Sequence, residues 1–310
     1  MFRSTLPRLS RVLLGGALLT ALAGCVVDYS GRYSQKGDVR PHPGVTTAMN
    51  HPIHGIDVAR YQAEIDWADV KASGTRFAYI KATEGGDYID PMFTRNWAAA
   101  KRAGVPRGAY HFVFWCRPAH EQALWFRQHI PNDPDALPPV LDLEWNGHSR
   151  TCPHKINKQL ALEKIQLMLT ELEQTTGKKP VIYTDITFHK DILEGQFNGY
   201  AYWLRSTAAK PEARYNNRPW AFWQYTTTGR VPGIRGDVDR NAFYGSEEEF
   251  EGWRQGHFDI GTRTWNSRGR PQPAPVPVQT QPLPAPVAAA PAQVQPAGQA
   301  VPDEGPEPVE

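Results

Sequence analysis

The stretch Pro139-Val140-Leu141-Asp142-Leu143-Glu144 is an apolar run that ends in two carboxylates. Apolar residues on both parities predict a strand buried on both faces, as in an inner parallel sheet. Seven further short runs read the same way, at 55–59, 76–82, 107–114, 179–183, 202–205, 221–225 and 237–241. Helical patterns lie between them at 65–73, 91–103, 119–129 and 157–176. In the last of these, Ile165, Met168, Leu169 and Leu172 share one face, and Gly177 supplies a stop. Alternation of strand and helix predicts a parallel sheet. Eight strand candidates in one block suggest that the sheet closes. Helical signals thin out after residue 177. The fold class expected is therefore α/β, a single irregular TIM-like barrel with fewer helices in its second half.

In such a barrel, chemistry gathers at the carboxyl ends of the strands. Asp57 lies in the first strand, Asp142 and Glu144 close the fourth, and Asp239 lies in the eighth. Carboxylates in apolar surroundings are costly unless paired, hydrogen-bonded or protonated. Asp142 and Glu144 are two residues apart on a strand, so they share a face at a spacing of roughly 6–7 Å. Two such groups push each other's pKa values apart, leaving one ionised and one protonated near neutral pH. Glycosidic cleavage needs that combination. Tyr61, Tyr110, Trp145, Tyr183, Trp203, Trp223 and Tyr225 fall at or near strand ends. As a group they suit a carbohydrate cleft, because aromatic rings pack against the flat faces of sugars. For each one taken singly, core packing is the alternative.

The chain has 310 residues, 40% hydrophobic and 21% charged, with ten Trp, twelve Tyr and twelve Phe. That mix excludes wholesale disorder, and a mean hydropathy of −0.53 excludes a polytopic membrane protein. Lys and Arg total 34 against 32 Asp and Glu. Three of the cations, Arg3, Arg8 and Arg11, precede the apolar run from Val12 to Leu22, which has the anatomy of a secretory signal. Without them the balance is near neutral, so nucleic acid is not an expected partner. No Gly-Lys-Ser/Thr closes a glycine-rich loop, so no phosphate cradle is expected. Leu22-Ala23-Gly24-Cys25 resembles a bacterial lipobox, with Cys25 as the lipidated first residue of the mature chain. By resemblance to Gram-negative lipoproteins, Val26 after it favours the outer membrane, facing the periplasm. The organisation expected is a signal at 1–24, a flexible linker at 25–50, the barrel at 51–258 and a Pro-rich tail at 259–310. Residues 271–310 hold twelve Pro and no aromatic, Lys or Arg. Cys116 and Cys152 are the remaining cysteines and suggest a disulfide outside the cytosol. His154 beside Cys152 leaves a metal reading open, but no Cys-x-x-Cys or repeated His spacing supports it. No metal or cofactor is expected.

Taken in order, the motifs resemble glycoside hydrolase family 25, the Chalaropsis-type lysozymes. The matches begin at His54-Gly55-Ile56-Asp57-Val58, with Gln62 and Ile65-Asp66-Trp67 after it. They continue through Tyr79-Ile80-Lys81-Ala82-Thr83-Glu84-Gly85, Gly108-Ala109-Tyr110-His111-Phe112 and the opening stretch at 139–144. Trp203-Leu204, Phe222-Trp223-Gln224-Tyr225, Pro232-Gly233-Ile234 and Val238-Asp239-Arg240-Asn241-Ala242-Phe243 complete the series. The resemblance implies an irregular β/α barrel that cleaves the β-1,4 bond from N-acetylmuramic acid to N-acetylglucosamine in peptidoglycan. It implies Glu144 as general acid and then base, and Asp142 as the group that orients the substrate's own 2-acetamido nucleophile. Asp57 and Asp239 would support their electrostatics. Tyr61, Tyr110, Trp145, Tyr183, Trp203, Trp223 and Gln224 would contact the glycan. Members often carry Ser two residues after the first-strand Asp, where this chain has Ala59.

The partners expected are glycan strands and, through Cys25, a membrane; a monomer is expected. A non-catalytic peptidoglycan anchor and a hydrolase of chitin-like glycans are the competing readings. The retained carboxylates favour an enzyme, because a pure binder has no use for a proton donor.

Overall fold

Parity along eight strands decides what fills the molecule. The computed structural model describes residues 44–257; the signal segment, Cys25, residues 25–43 of the expected linker and the tail at 259–310 lie outside the described residues. The strands are β1 (His54–Val58), β2 (Phe77–Glu84), β3 (Tyr88–Ile89), β4 (Arg107–Phe112) and β5 (Val140–Leu143). They continue as β6 (Val181–Thr184), β7 (Ala201–Arg205), β8 (Phe222–Gly229) and β9 (Val238–Phe243). Around the barrel the order is β1-β2-β4-β5-β6-β7-β8-β9, and β9 pairs back onto β1. The short β3 hangs on β2 as a hairpin arm. The eight segments expected as strands are the eight that close the barrel.

One expectation needs correcting. β9 runs antiparallel to both β8 and β1, where a wholly parallel ring was expected. The connection explains it: only residues 230–237 separate β8 from β9, and a parallel return needs a crossover of about a dozen residues or more.

Four substantial helices stand where the periodicity puts them. They are α2 (Trp67–Ala72), α3 (Phe93–Arg102), α4 (Ala119–His129) and α5 (Lys158–Thr176). Asp66 caps α2 by accepting from the backbone of Ala68 and Asp69. Asn157 caps α5 through the amide of Leu160, and Gly177 ends it at φ 65°. Beyond α5 the helices are short: α6 (Ile186–Phe188) and α7 (Pro211–Arg214) are followed by α8 (Glu247–Arg254). The sequence reading missed α8, although its capping box, Ser246 with Glu249, was visible. It also extended the linker too far. Gly44–Ala48 forms α1, with the Gly44 amide bonded to the Thr207 carbonyl at 3.2 Å and Ala48 fully buried.

Two apolar cores result. The outer one lies between the ring and its helices and takes Ile165, Met168, Leu169 and Leu172 of α5. The inner one plugs the barrel with Phe77, Tyr79, Val140, Val181, Trp203, Phe222 and Phe243, closed below by Phe250 and Trp253 of α8. Cys116 and Cys152, on the loops after β4 and β5, form a disulfide with Cα atoms 5.5 Å apart. By chain entropy a link over 36 residues contributes about 3–4 kcal/mol.

Gly55 shows how tightly the plug is filled. It pairs with Phe77 across β1 and β2, and a Cβ there would lie 2.5 Å from the Phe77 ring. Gly55→Ala is therefore expected to cost about 1–3 kcal/mol through overpacking, read as a lower denaturation midpoint with an unchanged slope.

Candidate active site

The inward residues form columns that turn from apolar to polar on going up the barrel. Val140, Asp142 and Glu144 make one column on β5 and its end, and Val181 and Tyr183 another on β6. Ala201, Trp203 and Arg205 follow on β7, and Phe222 and Gln224 on β8. β9 is inverted, so its column reads Phe243, Asn241, Asp239 toward the same rim. That inversion is why Asp239, near the start of its strand, sits opposite Asp57 near the end of β1. The polar ends line a cleft of about 1140 Å³ whose floor carries Asp57, Asp142, Glu144 and Asp239.

A hydrogen-bonded lattice holds this floor. Asn241 Nδ2 donates to Asp57 Oδ2 at 2.8 Å, and Trp203 Nε1 donates to Asn241 Oδ1 at 2.8 Å. Gln224 Nε2 donates to Asp57 at 3.1 Å and to Asp239 at 3.3 Å, while its Oε1 accepts from Tyr183 at 2.9 Å. Asp57 and Asp239 also hydrogen-bond each other. Two carboxyl groups can do so only if one holds a proton. Loss of solvation and the Asp57 charge raise Asp239 well above the usual carboxylate range, so Asp239 carries that proton. Burial also raises Asp57, against the pull of its Asn241 and Gln224 hydrogen bonds.

Glu144 and Asp142 form the second acidic pair. Burial first, and then the charge of Asp185, push Glu144 up to about 8. The nearby Arg205 guanidinium and Tyr183 hydroxyl oppose that rise. Asp142 is raised well above its ordinary value by desolvation and by Glu144 itself, with Lys81 opposing. The pair thus retains a proton through neutral pH. Glu144 Oε2 and Asp142 Oδ1 have no hydrogen-bond partner among the described residues. The strand under them is fixed from outside: Trp115 Nε1 donates to the Glu144 carbonyl at 2.6 Å, and Thr184 Oγ1 to the Leu143 carbonyl at 2.9 Å.

Of the aromatic and amide residues expected here, Tyr61, Tyr110, Tyr183, Trp203 and Gln224 line the cleft. Tyr61 is exposed on its lip, whereas Tyr183, Trp203 and Gln224 are buried in its floor. Trp145 and Trp223 are corrections. Trp145 follows the inward Glu144 and so turns outward, donating to Asp191 at 2.8 Å and packing on Phe188. Trp223 follows the inward Phe222 and is buried outside the ring against Trp220, its Nε1 bonded to the Ser206 carbonyl. Tyr225 also points out, to His54. Sequence reading missed Arg205, Asp185 and the part played by Asn241. Arg205 lies two residues beyond Trp203, Asp185 two beyond Tyr183, and Asn241 two beyond Asp239, so strand parity was the available signal. Ala59 is buried at the cleft edge, and its amide donates to Gln62 Oε1 at 2.9 Å. Among the described residues, no cluster of His, Cys, Asp and Glu could hold a metal ion.

Similarity to known proteins agrees with this geometry. Residues 56–234 match the family model described as glycosyl hydrolases family 25. The chain is 38% identical over 218 residues to the uncharacterized protein YegX of Escherichia coli O157:H7, covering 67% of this chain and 75% of that one. It is 38% identical over 206 residues to lysozyme M1 of Streptomyces globisporus, covering 63% of this chain and 68% of that one. A solved family 25 glycosyl hydrolase from Bacillus anthracis superposes with a TM-score of 0.61 at 34% identity, over 65% of this chain and 93% of that one. With the family model spanning more than half its length, the chain belongs to glycosyl hydrolases family 25.

Proposed function

We propose that this chain is a muramidase that hydrolyses the β-1,4 bond between N-acetylmuramic acid and N-acetylglucosamine, using Glu144 as proton donor and Asp142 as the partner of the substrate's 2-acetamido group. The carrying observation is the Asp142–Glu144 pair, inward on one strand at the floor of the cleft, each with an unpartnered oxygen among the described residues. Membership of the family and the likeness to lysozyme M1 support the bond and the polymer.

In the first step Glu144, protonated at neutral pH, gives its proton to the leaving glycosidic oxygen. The acetamido carbonyl oxygen attacks the anomeric carbon from the opposite face as the C–O bond breaks. The Asp142 carboxyl accepts the acetamido N–H and stabilises the charge that develops on that group. Glu144, now ionised, takes a proton from water as it opens the cyclic intermediate, giving product with retained configuration. Asp57 and Asp239 share one proton behind this pair, so the floor does not accumulate four negative charges. The same reading extends to location: the signal-like segment and Cys25 support a lipid-anchored envelope protein at the outer membrane, facing the periplasm.

Digestion of purified peptidoglycan, with reduction of the products and mass spectrometry, is expected to yield reducing-end muramic acid. Glu144→Gln is expected to lower kcat by about 100- to 10 000-fold while glycan binding persists. Reducing-end glucosamine, or an inverted product, would sink the mechanism. Since the acid must be protonated, kcat/KM should fall as pH rises through about 8. Asp185→Asn removes the charge that helps raise Glu144 and should move this limb to lower pH.

Stability carries an independent signature. The folded-state carboxyl of Glu144 is raised from 4.5 to about 8. Between those values the native state binds more protons than the unfolded chain, so stability falls as pH rises through that window. Glu144→Gln removes the penalty. It should gain about 1–3 kcal/mol over the native chain at pH 9 and nothing at pH 4, measured as the difference in thermal midpoint.

A further inference from the structure

The mouth of the cleft differs in sign from its floor. Its charged side chains are Arg60, Lys81, Glu84, Arg150, Arg230, Arg235 and Asp237. Both acids there are matched: Lys81 Nζ lies 2.6 Å from Glu84, and Arg230 lies 3.0 Å from Asp237. Arg150 and Arg235 are exposed and make no ion pair or hydrogen bond with any described residue. Among the described residues the Arg60 guanidinium faces no carboxylate either. It lies over the Tyr61 and Tyr88 rings, 5.1 and 5.5 Å from their centroids, and donates to the Tyr88 hydroxyl at 2.8 Å. Stacking of this kind holds a guanidinium in one orientation and leaves its remaining N–H groups to a ligand.

These three arginines come from separate loops. Arg60 follows β1, Arg235 lies between β8 and β9, and Arg150 follows β5. In the ring β1 and β9 are neighbours, and β5 is across from them. Uncompensated cations therefore stand on both walls of one cleft. A neutral N-acetylated sugar chain offers them acceptor oxygens but no charge to match. Where muramic acid carries its peptides, the anions of peptidoglycan are the carboxylates of those peptides, which branch from the lactyl group and, with the sugar rings on the floor, would have the mouth as their way out. Arginine is the side chain best suited to carboxylates, through paired N–H donors.

We infer that Arg60, Arg150 and Arg235 form a receptor for the peptide carboxylates of the substrate, so that the enzyme selects glycan strands whose peptides present free carboxylates. This inference rests on the muramidase reading and sharpens its substrate class.

The test uses the full chain and two soluble glycans from one peptidoglycan preparation: strands whose peptides keep their carboxylates, and the same strands with those carboxylates converted to amides. At low salt, kcat/KM is expected to favour the strands with free carboxylates by about tenfold, the scale of a few screened charge contacts. The preference should shrink toward one in about 0.5 M salt, where screening reaches only a few ångströms. It should also shrink in the triple variant Arg60→Gln, Arg150→Gln, Arg235→Gln, through KM rather than kcat. A native ratio near one, or a ratio that survives both salt and the triple variant, overturns the proposal. A second arm uses Glu144→Gln and equilibrium binding of a muramyl-peptide fragment against the same fragment with its carboxylates converted to amides. Tighter binding of the acid form supports the receptor, and equal binding overturns it whether or not the native chain cleaves. Binding of the acid form with no cleavage by the native chain would overturn the muramidase reading alone. Preference for a phosphodiester polymer over the acid fragment would also overturn the proposal.

Discussion

A closed ring of strands has only an inside and an outside, and each strand must alternate between them. Every strand residue on the cleft floor obeys this alternation. Residues 140, 142 and 144 point in, whereas 141, 143 and 145 point out to the helices. Closure depends on β9, which returns antiparallel through a short connection and zips onto β1. Were β9 parallel, Asp239 would enter at the apolar end of the barrel, far from Asp57. Inverted, it meets Asp57 directly, and Asn241 one step lower reaches both Asp57 and Trp203. The acidic floor is a consequence of how the barrel shuts.

The aromatic plug beneath that floor has an electrostatic role as well as a packing one. Phe77, Tyr79, Trp203 and Phe222 exclude water from below, with ring centroids 5.1 to 6.3 Å apart where they meet. Carboxyl groups above them are left in surroundings of low polarity, open to solvent only through the cleft. That arrangement holds protons on Glu144 and Asp239 at neutral pH, and it costs folding stability. Such a cost is characteristic of sites where local consistency yields to chemistry. The disulfide and the tightly filled cores are what the chain sets against it.

Much of this was legible in the sequence because buried strands leave continuous apolar runs, and eight such runs were visible. The acids were legible because carboxylates in such runs are costly without a reason. Strand direction was not, since a strand's own residues are silent about the direction of its neighbours; only the short spacing at 230–237 held that information. Trp145 and Trp223 were misplaced because proximity to a strand end was used where parity was needed. Parity applied to Trp203, Tyr183 and Asp239 would have found Arg205, Asp185 and Asn241 as well. Tyr61 lines the cleft, as its place after the first strand suggests, but its partner Arg60 was not legible, because a stack between two tyrosines depends on Tyr88 arriving from the β3 arm.

Floor and mouth make opposite demands, and their separation by depth reconciles them. A proton donor with a pKa near 8 requires that any cation close to it in a medium of low polarity be offset. Arg205 does stand close, and it is offset by Asp185, whose charge acts on Glu144 in the opposite sense. Exposed arginines at the lip act through water, where the same charge at greater distance is screened and shifts Glu144 little. They can therefore attract an anionic branch without disarming the acid below. The gradient up the barrel, from apolar plug to acidic floor to cationic mouth, lets one cleft be dry enough to protonate an oxygen and charged enough to choose which glycan presents it.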